Sequence, residues 1–176
     1  MTKDTRNVID KYKGLPTDDI KFDLDKSRVD LEIAIENLER DFNMGTIVRS
    51  ANAFNIAKIH IIGRRQWNKR GAMMTDKYMN IEYHSSVADF VEHSRGKAIV
   101  AIDNIPGAVD LHEAELASQD IVLVFGSEAS GLSSEMLAAS QQTIAIEQFG
   151  STRSLNVGVA AGVVMYEWLR RHKLTK

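Results

Sequence analysis

Ile121-Val122-Leu123-Val124-Phe125-Gly126-Ser127-Glu128-Ala129-Ser130-Gly131 decides the architecture. Five apolar residues in a row read as a strand buried on both faces, the pattern of parallel sheets covered by helices on each side. Two glycines bracket the loop that follows, as a tight turn with close backbone approach requires. Residues 134–139 beyond it read as a helix. Outward from this unit, the pattern alternates. Strands are predicted over 31–35, 57–62, 81–83, 98–102 and 143–146, and helices over 43–54, 87–93 and 154–171, with a short helical turn at 111–116. This order predicts an α/β fold with a mainly parallel sheet and flanking helices. Ligands of such sheets bind at the carboxyl ends of the strands. Those ends fall at residues 37–43, 63–70, 103–107, 126–131 and 147–154.

At 176 residues the chain is the size of one compact domain and needs no covalent staples. It has no cysteine, so neither a disulfide nor a thiolate metal site can form. Histidines 60, 84, 93, 112 and 172 show no close metal-ligand spacing, so no metal is expected. Residues 1–28 read as a polar arm of charged residues without a signal-peptide core, and 29–176 as the functional domain. The longest apolar run, 157–165, falls short of the roughly 20 residues of a membrane span, so a cytoplasmic protein without membrane contact is expected. The net charge of −2 carries no global nucleic-acid signature. Locally, Arg64, Arg65, Lys69, Arg70 and Lys77 face one acid, Asp76, with Trp67 and Tyr78 interleaved. Such a loop suits RNA phosphates and unstacked bases, or is a solvated surface.

The loop 126–131 is no phosphate loop, because Leu132-Ser133 stand where Lys and Ser/Thr are required, and Glu128 repels phosphate. A ligand without phosphate, or with positive charge, fits better. Glu128 by itself also reads as an acid favoured at a helix N-terminus. In the helix over 43–54, Asn43 lies near the cap and a charged Arg49 sits among apolar residues. Arg49 reads either as half of an ion pair, with Glu128 or a partner chain, or as a planar fork for an anionic substrate. The tract 154–167 places Ser154 and Asn156 ahead of a helix that is apolar almost all round and therefore predicted to be buried, with Gly158 and Gly162 one turn apart for a close backbone approach. Either polar residue could serve only as a helix cap.

Taken in order, these segments resemble the SpoU (TrmH-type) branch of the SPOUT RNA methyltransferases. Asn43, Gly45 and Arg49 match an Asn-x-Gly-x-x-x-Arg helix start. Phe125, Gly126, Glu128, Gly131 and Leu132 match a Phe-Gly-x-Glu-x-x-Gly-Leu loop. Ser154, Leu155, Asn156 and Val157 match Ser-Leu-Asn-Val. The resemblance spans about residues 30–172. Ala129 departs from a usual Gly and Gly158 from a frequent Ser. Many relatives carry a separate RNA-recognition domain ahead of this region; here only the arm 1–28 precedes it.

The resemblance implies a deep C-terminal trefoil knot, a homodimer packed through it, and S-adenosylmethionine held at Gly126, Ile146 and Leu155. It implies methylation of a ribose 2′-hydroxyl in tRNA or rRNA. Arg49 would position the hydroxyl and adjacent phosphate and stabilise charge; a guanidinium gives up its proton too reluctantly to suit a base. Asn43, Glu128, Ser154 and Asn156 would complete the catalytic set, and Arg64, Arg65, Lys69 and Arg70 would contact RNA. The alternatives are an RNA-binding or assembly factor that keeps the cofactor pocket without turnover, and a base-directed SPOUT methyltransferase.

Overall fold

The structure, a computed structural model, describes residues 8–37, 43–127 and 130–174. Its strands are β1 Val29–Asn37, β2 Ile56–Gly63, β3 Ile81–His84, β4 Ala98–Ile102, β5 Val109–Asp110, β6 Ile121–Phe125 and β7 Gln142–Ala145. They form one sheet in the order β3-β2-β1-β6-β4-β7-β5, and every strand pairing is parallel. The helices are α1 Thr17–Asp25, α2 Asn43–Ala53, α3 Val87–His93, α4 Ser134–Ala139 and α5 Val157–Leu169.

β6 is buried along its whole length, as its unbroken apolar run dictates. Leu123 and Phe125 join Ile47, Val48, Val164, Met165 and Trp168 of α2 and α5 on one face. Val122 and Val124 meet Phe90 of α3 and Met136 of α4 on the other. The chain order reverses between β1 and β6, and beside that point the carboxyl ends of β6, β4 and β7 open onto a crevice.

The expected helical turn is present at the start of 111–116, where Ala114 N–H donates to Asp110 O at 2.9 Å, and residues 114–116 run on without regular structure; Leu111, Ala114 and Leu116 are buried, and Leu111 N–H donates to Ala145 O of β7 at 2.8 Å. The two-residue β5 ahead of it is too short and exposed to leave a periodic signal. The last helix starts at Val157, after the Ser154–Asn156 segment, and continues as a π-type turn from Arg170.

α5 is buried on one side only. A Cβ on Gly158 would lie 3.0 Å from Thr46 Cγ2, so this glycine seats α5 on α2; Gly162 faces Ser50 at a looser 4.0 Å. Leu155, Val159, Val163 and Tyr166 remain exposed along the opposite face. Uniform apolarity reports total burial only if neighbours surround the helix, and within one chain α2 and the sheet cover half of it.

The arm is partly structured. A break after Tyr12 leads to α1, whose Ile20 packs with Tyr12 and Tyr78 in a small separate core. The nearly buried Arg28 fastens this layer, donating to Asp25 at 2.6 Å and to Tyr78 O at 2.6 Å. Among the described residues no helix is long and apolar enough to cross a membrane.

Candidate functional site

The carboxyl ends of β4, β6 and β7 enclose an open cleft of about 170 Å³. Gly126, Ile146, Leu155 and Ser154 all line it. The Gly126 loop is folded tightly on itself: Ser127 N–H donates to Gly131 O at 3.1 Å, and Gly131 N–H to Ser127 O at 2.9 Å. A Cβ on residue 126 would lie 2.2 Å from Gly131 C, so only glycine closes this turn. Glu128 lies outside the described residues.

Sequence reasoning missed three polar residues of the cleft, Asp103, Asn104 and Gln148. Asp103 Oδ2 accepts from Leu132 N–H at 3.0 Å, pinning the exit of the glycine loop. Asn104 donates to Arg153 O at 2.8 Å and ties the β4 end to the segment before Ser154. Gln148 Oε1 is a buried acceptor with no hydrogen-bond partner among the described residues. The only signal for these residues was their place at strand carboxyl ends. The described lining holds one acid and no base, so the field favours a cationic ligand with N–H donors, as the loop chemistry implied.

Asn156 stands at the head of α5. Its Oδ1 accepts from Gly158 N–H at 3.0 Å and Val159 N–H at 3.3 Å, and its Nδ2 donates to Asn43 Oδ1 at 2.9 Å. The cap therefore belongs to Asn156, not Ser154, and one side chain joins the starts of α5 and α2. Ser154, exposed at the cleft wall, is left for a ligand or substrate.

Arg49 is not brought into the cleft. Six residues after Asn43, about 9 Å along the helix axis, it is exposed and borders a second cavity lined by Tyr12, Ile20 and Tyr78. It forms no ion pair with any described residue.

The basic loop leaves the carboxyl end of β2, where buried Asn37 bonds to the carbonyls of Arg64 and Gln66. Arg64, Arg65, Lys69 and Arg70 are exposed as predicted. Arg65 stacks over Tyr83 at 4.7 Å, and Lys69 reaches Asp76 at 2.8 Å, which holds the Lys69 pKa above its ordinary value. Trp67 and Tyr78, expected beside bases, are instead buried in the two apolar cores. Their apolar rings are worth more under the loop than in water.

With this geometry in place, residues 30–166 match the model of the SpoU rRNA Methylase family. The chain is 28% identical over 155 residues to a tRNA (guanosine(18)-2'-O)-methyltransferase of Escherichia coli (strain K12), covering 85% of this chain and 67% of that protein. A solved structure concerned with the 2-OH methylation of C/U34 on tRNA superposes with a TM-score of 0.71 at 32% identity, covering 80% of this chain and 95% of the other. An AdoMet-bound rRNA methyltransferase from Sinorhizobium meliloti superposes with a TM-score of 0.73 at 26% identity, covering 86% and 61%.

Proposed function

The chain belongs to the SpoU rRNA methylase family, and we propose that it methylates a ribose 2′-hydroxyl of a tRNA, using S-adenosylmethionine held in the cleft of Gly126, Ile146 and Leu155. The carrying observation is the donor set of that cleft. Among the described lining residues, one acid, no cation, a Gln148 acceptor without a partner and a glycine turn that excludes any Cβ suit a cationic ligand bearing amines and an adenine ring. Bound there, S-adenosylmethionine supplies an electrophilic methyl group on a sulfonium.

The chain's own work is then alignment and charge stabilisation, because a reactive donor leaves proximity as a large part of the barrier. Ser154 at the cleft wall orients the ribose. The Asn43–Asn156 pair fixes the helix starts around it. The Arg49 guanidinium steadies the adjacent phosphate and the charge that grows on the 2′-oxygen as its proton passes to solvent. Glu128 completes this set at the loop. Arg64, Arg65, Lys69 and Arg70 hold the RNA backbone.

The exposed stripe Leu155, Val159, Val163 and Tyr166 supports a homodimer packed through α5 and the knotted C-terminal region. It runs from the cleft wall, so the partner closes the site, and Arg49, outside the cleft of its own chain, works at that assembled edge. A tRNA substrate puts the protein in the cytoplasm.

The test is incubation with methyl-labelled S-adenosylmethionine and total tRNA, followed by digestion to nucleosides. Label in 2′-O-methyl nucleosides is expected. Label on a base alone would indicate base-directed chemistry. Donor binding without transfer to any RNA would indicate a binding factor. Either result defeats the proposal.

A further inference from the structure

Histidines spread over 34 positions of sequence converge beneath α3. His60 on β2 and His84 on β3 lie on one face of adjacent strands and are both buried. His60 Nε2 is 2.9 Å from Glu32 Oε2, and His60 Nδ1 is 2.8 Å from His84 Nε2. Lys97 Nζ lies 2.6 Å from the same Glu32 oxygen, so the carboxylate is an ionised acceptor.

The contacts admit a consistent set of tautomers. The Glu32 carboxylate accepts from His60 Nε2–H; with His60 Nδ1 then bare, His84 donates to it from Nε2 and keeps a lone pair on its own Nδ1. That atom is buried and has no hydrogen-bond partner among the described residues. One ligand-capable atom each of His84, Asp89 and His93 lies within 4.8 Å of the others. Asp89 and His93 stand at i and i+4 on α3, where His93 Nδ1 lies 2.8 Å from Asp89 O and 3.1 Å from Asp89 Oδ1, so His93 would turn its Nε2 to an ion or exchange that contact for it. Asp89 is steadied by Ser85, whose N–H donates to Oδ2 at 2.8 Å. Glu82 is engaged elsewhere, with Lys58 at 2.8 Å.

We propose that His84, Asp89 and His93 bind a divalent transition cation of the Zn2+ class, with His60 and Glu32 as the outer groups that set the His84 tautomer. Two imidazoles and a carboxylate are the donor set zinc takes, with a solvent molecule completing the coordination where His93 is exposed. A carboxylate behind a ligating histidine is the usual outer support; here a second histidine extends it. The ion clamps α3 to the edge strand β3, whose Tyr83 carries Arg65 of the basic loop at 4.7 Å.

The experiment titrates the full chain, stripped with chelator, with Zn2+ by calorimetry and with Co2+ by its visible absorption. One equivalent per chain is expected, with cobalt bands of a low-coordinate site. His93→Gln and Asp89→Asn should each weaken Zn2+ binding by at least about tenfold, and Glu32→Gln by about tenfold through the relay. His112→Gln, in the separate Asp110, His112, Glu147 group, should leave binding unchanged. Absence of saturable binding overturns the proposal, as does affinity indifferent to His93→Gln, Asp89→Asn or Glu32→Gln, or affinity lost in His112→Gln. The buried His84 is left intact, so none of these variants removes a core ring.

Discussion

Asn156 carries two separable duties, and two substitutions split them. Its Oδ1 caps α5 through Gly158 and Val159, while its Nδ2 reaches Asn43 at 2.9 Å. Asn156→Ala removes both. Loss of the cap costs about 1 kcal/mol, and loss of the inter-helix bond about another 1 kcal/mol. For a chain of this length the sum lowers Tm by about 4–8 °C. Asn156→Ser restores a good cap but is too short to reach Asn43, so its Tm should fall by only about 2–4 °C. Activity should divide differently. If the pair holds the ribose-facing segment in register, a displacement near 1 Å costs about 100-fold, and both variants should lose turnover to that extent. Thermal denaturation by circular dichroism gives the first quantity and methyl transfer to tRNA, at a temperature where all variants are folded, gives the second. Wild-type turnover in Asn156→Ser would refute the reasoning and reduce Asn156 to a helix cap.

Other predictions follow from the same geometry. Gly126→Ala, whose Cβ would meet Gly131 C at 2.2 Å, should abolish S-adenosylmethionine binding in a calorimetric titration while the far-ultraviolet spectrum stays native. Changing Arg64, Arg65, Lys69 and Arg70 to Ala should weaken RNA binding and reduce the salt slope by up to about 3 in filter-binding assays; an unchanged slope would make the loop a solvated surface. Burial would raise the Glu32 carboxyl, but hydrogen bonds from His60 and Lys97 hold it down at about 2 against an ordinary 4.5. Its stabilisation, of order 3 kcal/mol, is therefore present above pH 4.5 and lost as pH falls towards 2. In urea titrations the stability gap between the protein and Glu32→Gln should close across that window. Val159→Asp, on the exposed stripe, should shift the sedimentation coefficient to that of a monomer without lowering the monomer's helix content.

The parallel sheet was legible because β6 and its neighbours are apolar runs closed by glycine or polar loops, and local pattern suffices for that. The cleft was legible where the resemblance names it, at Gly126, Ile146, Ser154 and Leu155, all of which line it. Asp103, Asn104 and Gln148 were not, because an isolated polar residue at a strand end looks like any loop residue until the strands are ordered. Trp67 and Tyr78 misled for a related reason: a basic loop with aromatics reads as a base-stacking surface, yet the rings are buried beneath it. The histidine cluster was not read from spacing: His84, Asp89 and His93 fall within ten residues but span a strand, a turn and a helix, and His60 joins them only through the parallel pairing of β2 with β3. Apolarity of α5 gave its existence but not which side stays open.

Position of the methyl group on RNA tests the central claim most directly. tRNA incubated with the protein and S-adenosylmethionine is subjected to limited alkaline hydrolysis, in which a 2′-O-methyl group blocks cleavage at its own nucleotide. A gap at a defined position of the ladder, dependent on the donor and absent with the Gly126→Ala protein, is the predicted result. An unbroken ladder from RNA that has acquired the methyl group would contradict the account.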